Sequence, residues 1–151
     1  AILAAVSYNG IIGARDHSRL KASTNIVIGM IQTARNYALS DMEIEPGRGY
    51  NCKVASYYVD FDNLPMITVE AELIEDADCS ASFSPHELAS EEIMEEIELD
   101  LSGITEGISY TPPLAEPVFE TDQVITLSTQ NGLLTKTITV YKVSGMPELT
   151  D

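Results

Sequence analysis

Tryptophan is absent, phenylalanine occurs three times, and there are only two cysteines and two histidines in 151 residues. Two cysteines are too few for a disulfide scaffold, and they lack the close pairing with further Cys or His that a structural zinc site needs. Bases are scarce: 8 against 24 acids, for a net charge of −16. Like charge therefore repels a nucleic-acid backbone or an anionic membrane surface, and no nucleic-acid partner is expected. Glycine-rich phosphate loops, metal-binding helix motifs and nucleophile motifs are also missing, so the chain is not read as an enzyme, and no cofactor is expected. What remains is apolar enough to build a core: 44% of residues are hydrophobic and 21% charged, which excludes wholesale disorder.

The charge is placed asymmetrically. Up to Lys53 there are six bases and four acids, a balance of +2; beyond it Lys136 and Lys142 face twenty acids, a balance of −18. Two physically different parts are joined near residue 46: a helical stem, 1–45, and an acidic β-rich head, 46–151.

Residues 1–14 carry no charge, and Arg15, Asp16, His17, Arg19 and Lys21 then follow closely. An uncharged run of this length is shorter than the roughly 20 residues a membrane span takes. Because it opens on alanine, it reads as the end of a longer apolar segment whose upstream part is missing; a buried helix end or a signal-peptide remnant are the alternatives. From Ser18 to about Leu39 the residues favour helix, and Leu20, Thr24, Val27, Ile31, Ala34 and Ala38 form a stripe at 3–4 spacing. Ile26, Ile28 and Met30 lie off that stripe, so the apolar arc widens to roughly 200°, twice that of a surface helix on one core. The width calls for cover on two sides, the second supplied by another chain; tighter wrapping by the head is the competing account. Pro46 and Gly47 are expected to stop the helix.

Beyond Pro46 the period changes to two. Residues 50–59 read as one strand bulged near Ser56, and Met66 to Ile74 alternates Val69, Ala71 and Leu73 against Glu70 and Glu72, with Asn63, Leu64 and Pro65 as the turn between. Strand is expected again from Ile97 onward, because a helix there would stack Glu91 on Glu95 and Glu92 on Glu96. Val124 to Ser128 and Thr135 to Val143, with Asn131 and Gly132 between, form the clearest hairpin; Pro112, Pro113 and Pro117 mark an irregular connection before it. The order predicts an α+β fold, a long N-terminal α-helix packed on an antiparallel sheet.

Two stretches carry a resemblance. Residues 1–39, with the apolar run "ILAAV", the segment Arg19, Leu20, Lys21, Ala22 and the segment Ala34, Arg35, Ala38, together with the carboxyl end "VITLSTQNGLLTKTITVYKVSGMPEL", resemble the type IV pilin and pseudopilin family, nearest the minor pseudopilins of type II secretion. No cleavage site, aromatic or methionine start, or early glutamate precedes Ala1, and Ser7 stands where many members carry proline. The resemblance implies a pilin-like fold and a structural subunit that polymerises through its helix into an extracellular, cell-surface filament or pseudopilus. It implies a homo-oligomer built with pilus or secretion assembly machinery, and anchorage in the inner membrane before assembly only if the stem is completed upstream. The filament-core contacts would then be Ile2, Leu3, Val6, Ile11, Ile12, Leu20, Ile26, Val27, Ile28, Met30 and Ile31.

Metal readings are weaker. Asp60, Asp62 and Asn63 place two acids and an amide together as the start of a calcium site, without the glycine and distal glutamate of the twelve-residue loop; Glu75, Asp76 and Asp78 are a lesser candidate. They motivate an alternative function, a secreted acidic binding or adhesive domain with calcium as a ligand. His17 and His86 have no nucleophile partner, and Glu91, Glu92, Glu95 and Glu96 read as an exposed charged face. Cys52 and Cys79 are the one possible pair: in an exported protein they would close a loop of roughly 26 residues, stabilising it by about 3 kcal/mol, with two buried free thiols as the other possibility.

Overall fold

The computed structural model describes residues 2–47, 49–77 and 79–150, with side chains described for all of these except residues 2–9, 50 and 81. Helix α1 runs Ile2–Ser40 without a break, about 58 Å at 1.5 Å per residue. Among the described residues eleven strands follow: β1 (Ile44–Gly47), β2 (Tyr50–Cys52), β3 (Val54–Asp60), β4 (Met66–Leu73), β5 (His86–Glu92), β6 (Ile97–Gly103), β7 (Ile108–Thr111), β8 (Glu116–Pro117), β9 (Gln123–Thr129), β10 (Thr135–Val140) and β11 (Pro147–Leu149). All pairings are antiparallel, so the architecture is α+β with a helix packed on sheets.

The strands form not one sheet but three units. A small β1–β2 hairpin precedes a five-stranded sheet of order β5-β4-β3-β7-β8 and a four-stranded sheet of order β11-β10-β9-β6. Helix α1 touches strands of both larger sheets. The inward parity of each strand supplies the core: Tyr57 and Val59 of β3, Ile67, Val69 and Ala71 of β4, Ile125 and Leu127 of β9, and Ile138 and Val140 of β10 are all buried. Period two puts these residues on one face, and two sheets turned inward then leave a trough that the helix stripe fills.

Local chemistry explains the joints. The bulge expected near Ser56 is present as a register shift between Val54 and Ser56. In the turn after β3 the Met66 N–H donates to the Asn63 carbonyl at 3.0 Å. Ser128 pairs with Thr135 across the β9–β10 hairpin, and Gly132 takes a φ of 67° at its tip, a conformation that costs glycine nothing. Asn131 Oδ1 accepts from Thr129 Oγ1 and from the Leu133 N–H, which shapes the rest of that turn.

Two expectations are corrected. The helix does not run to Pro46: it ends at Ser40, where Asp41 adopts a left-handed φ of 45° and the Ser40 hydroxyl donates to the Tyr37 carbonyl at 2.7 Å. Pro46 and Gly47 lie instead in β1. Asparagine and aspartate tolerate the left-handed region because their side chains are short and polar, so an aspartate ends this helix before the proline is reached. Residues 54–60 and 50–52 are also two strands, separated at Lys53, whose carbonyl accepts the Ile74 N–H.

Candidate functional surface: the stem helix and its collar

Along α1 the side chains divide sharply at Leu20. Downstream, Leu20, Ser23, Thr24, Val27, Met30, Ile31, Ala34 and Ala38 are buried at i, i+3, i+4 and i+7 spacing, which is the stripe the sequence prescribes together with the off-stripe Met30. The two polar members are satisfied: Thr24 Oγ1 donates to the Leu20 carbonyl at 2.7 Å, and Ser23 Oγ accepts the Met94 N–H at 3.3 Å. The second bond ties the β5–β6 turn to the helix. Near the other end Arg35 Nε donates to the Ser144 carbonyl and Tyr37 stacks on Tyr57 with ring centroids 6.0 Å apart.

Several residues expected to meet neighbouring copies are therefore occupied. Leu20, Val27, Met30 and Ile31 are buried against their own head, and Ile26 and Ile28 are half-buried against the same core. The reason is that two sheets, rather than one, flank the helix. The outward positions Lys21, Asn25, Gln32 and Asn36 are polar and exposed. Ile2, Leu3 and Val6 lie outside the residues with described side chains. What stays uncovered is upstream: Ile11 is 67% exposed and Ile12 41%, and Gly10, Gly13 and Ala14 beside them are exposed as well.

Between this apolar tip and the head sits a collar of charge. Arg15, His17 and Lys21 are exposed, while Arg19 bends onto the head and pairs with Glu96 at 3.2 Å. On the opposite side of the helix a groove of about 230 Å³ opens between α1 and the β10–β11 edge, lined by His17, Lys21 and Asn25 with Lys136 and Leu149. Sequence reasoning placed His17 in a stem charge cluster and missed this groove. The spacing of His17 and Lys21 four apart on a helix was a usable signal; the arrival of Lys136 from the far end of the chain was not.

No family model, curated protein or solved structure matches this chain. No described helix is long and apolar enough to cross a membrane.

The other candidate residues are engaged in local structure. Asp60 Oδ1 accepts the Asp62 N–H at 2.9 Å, holding the chain as it leaves β3, with Asp62 and Asn63 exposed beside it. Asp76 Oδ1 accepts the Cys79 N–H; Asp78 lies outside the described residues. Among the described residues no group of three or more His, Cys, Asp or Glu is placed to hold a metal ion. His17 and His86 fall on α1 and β5, and nothing brings them together. Cys52 and Cys79 form a disulfide, and both are buried.

The outer face of the five-stranded sheet carries a second, shallower cleft lined by Ser56, Tyr58, Glu72 and Glu106, among others. Tyr58 donates to Glu70 at 2.6 Å and Ser56 to Glu72 at 3.1 Å. Burial, and then the hydrogen bond and charge of Glu70, hold the Tyr58 phenol well above its ordinary pKa. Glu106 is held below the usual carboxylate range, chiefly by the Thr121 N–H; the Glu120 N–H and Thr121 hydroxyl also donate to it. These carboxylates serve as acceptors that bind strands and loops together.

Proposed function

We propose that this chain is a structural subunit that assembles through its N-terminal helix into a pilin-like extracellular filament or pseudopilus. The observation that carries the reading is the uncharged helical tip ahead of the head, with Ile11 and Ile12 exposed. An exposed apolar helix end on an acidic protein is a site of association, because its burial contributes about 25 cal/mol per Å². The acidic head would keep such a filament soluble and limit its bundling. The contacts between copies are then Ile11, Ile12 and the apolar residues upstream of them, and assembly machinery of the pilus or secretion type would handle the subunit. In this reading the chain is not an enzyme.

The test is electron microscopy of surface filaments from the native cell, with antibody to the head and the stem intact. Label along filaments supports the proposal; a monomeric chain absent from every filament overturns it.

One observation favours the alternative, a secreted acidic binding or adhesive domain. The apolar stripe of α1 is already satisfied by its own head, with Val27, Ile31, Ala34 and Ala38 fully buried. Under that reading, replacing Ile11 and Ile12 by serine leaves the chain monomeric and every head-mediated contact intact. Under the subunit reading the same change abolishes assembly.

A further inference from the structure

The chain passes between the two larger sheets at the β5–β6, β6–β7 and β8–β9 connections. The first is tied to the helix through Ser23 and Met94; the other two are tied to each other. Gly103 at the end of β6 pairs with Val124 near the start of β9, so closely that a β carbon on it would lie 2.5 Å from the Val124 carbonyl oxygen. That approach sets residues 104–107 against residues 118–122. Gln123, fully buried, braces them from within: its Oε1 accepts the Thr105 and Glu106 N–H groups at 2.8 and 3.2 Å, and its Nε2 donates to the Thr121 carbonyl at 2.7 Å. From outside, Glu106 Oε2 accepts the Glu120 N–H at 2.9 Å and the Thr121 N–H and hydroxyl at 3.1 Å each. One amide, which does not titrate, and one carboxylate, which does, therefore close the same joint.

We propose that Glu106 is the catch of an acid-operated latch: its protonation frees residues 118–122 from residues 104–107 while both sheets stay folded. Hydrogen bonds to a carboxylate are roughly twice as strong as those between neutral groups. A protonated carboxyl keeps its shape but loses that charge and turns one oxygen into a donor. Glu106 is exposed, so solvent protons reach it directly. The titratable and charged groups around it are Glu72 and Tyr58, which line the same cleft, and Glu120 and Asp122 on the other connection, with Lys142 beyond, its N–H held by Asp122 at 2.9 Å. The carboxylates among them favour the protonated form of Glu106; its three donors favour the ionised form and prevail. The latch is therefore shut above the ordinary glutamate value of about 4.3 and opens as pH falls from there through the lowered folded value. What it releases is the segment carrying Phe119, which is 4% exposed and edge-on to the Tyr110 ring. The latch lies wholly in the head and does not depend on how copies assemble.

Amide hydrogen exchange, followed by NMR on the full chain from about pH 3 to about pH 6, spans the ordinary glutamate range and reads the joint directly. Protection of the Glu120 and Thr121 amides, corrected for the intrinsic pH dependence of exchange, should be constant above about pH 4.3 and fall below it by up to about tenfold per pH unit, the limit for one proton. The Val69 and Ile125 amides in the sheets should keep their protection throughout. In Glu106→Gln the Glu120 and Thr121 amides should be less protected than in wild type already at pH 6 and show no further fall, whereas Asp122→Asn should titrate as wild type does. Protection that stays constant to the acid end overturns the latch, as does a fall shared with Val69 and Ile125, a fall of equal size in Glu106→Gln, or one abolished by Asp122→Asn.

Discussion

Individual residues hold the two sheets to one another through buried polar contacts. Tyr110 is fully buried, and its hydroxyl donates to the Gly145 carbonyl at 2.7 Å while its ring meets Phe119 edge-on. Burial accordingly raises the Tyr110 phenol above its ordinary pKa. A β carbon on Gly145 would sit 2.5 Å from Tyr110 Cε1, at a φ of 64°. Gly145→Ala should therefore cost about 1–3 kcal/mol from strain and crowding together, and Tyr110→Phe about 1 kcal/mol or somewhat more, because a buried carbonyl loses its donor. Urea unfolding of each variant measures both. Glu106 gives a pH signature. Its folded pKa lies below the unfolded value of about 4.3, so its contribution to stability is complete above that pH and is lost as pH falls through the lowered value. Glu106→Gln should flatten the acid limb of the stability curve below about pH 4.3 and leave the neutral region parallel to wild type, as thermal melts across that range will show.

Among the elements, α1 does two jobs along one continuous length, and the boundary at Leu20 divides them. Ile31→Ala removes a fully buried side chain of the helix and should destabilise the head by about 2–5 kcal/mol. Ile11→Ala changes an exposed side chain and should leave the melt within about 0.5 kcal/mol of wild type. The contrast, read by denaturant unfolding, tests whether the division lies where the burial places it. The disulfide ties the small β1–β2 hairpin to the segment after β4, joining Cys52 to Cys79 across a separation of 27 residues. Replacing both cysteines by alanine should lower stability by roughly 3 kcal/mol without dissolving either large sheet, which unfolding with and without reductant would check against the double variant.

For the molecule as a whole, the balance of +2 up to Lys53 and −18 beyond it becomes a geometry. The head wraps the carboxyl-terminal half of the helix, Ile11 and Ile12 stay uncovered, and Arg15, Arg19 and Lys21 gather in a collar between them. If that arrangement is assembled through the tip, Ile11→Ser with Ile12→Ser should eliminate filaments while the isolated protein melts as wild type. Electron microscopy and calorimetry on the same preparation decide the point, and a variant that still forms filaments locates the contact elsewhere.

Much of this was legible in the chain itself, because the signals are local. Helical spacing named Leu20, Thr24, Val27, Ile31, Ala34 and Ala38, all of them buried. Alternation named β4 and the β9–β10 hairpin, and Asn131 with Gly132 marked its turn. Repulsion among Glu91, Glu92, Glu95 and Glu96 correctly argued against a helix, leaving strand from Ile97. Where the helix stops was harder, since a left-handed Asp41 leaves less trace in composition than a proline does. The number of sheets, and hence the cover on α1, belonged to tertiary structure alone. An apolar arc of given width states how much surface must leave water but not whose surface covers it, and only the meeting of β6, β9, β10 and β11 with β3, β4, β5 and β7 around one helix answered that. The basic groove was decided in the same way. His17 and Lys21 are neighbours by helix period, whereas Lys136 joins them only because the last hairpin folds back beside the first helix.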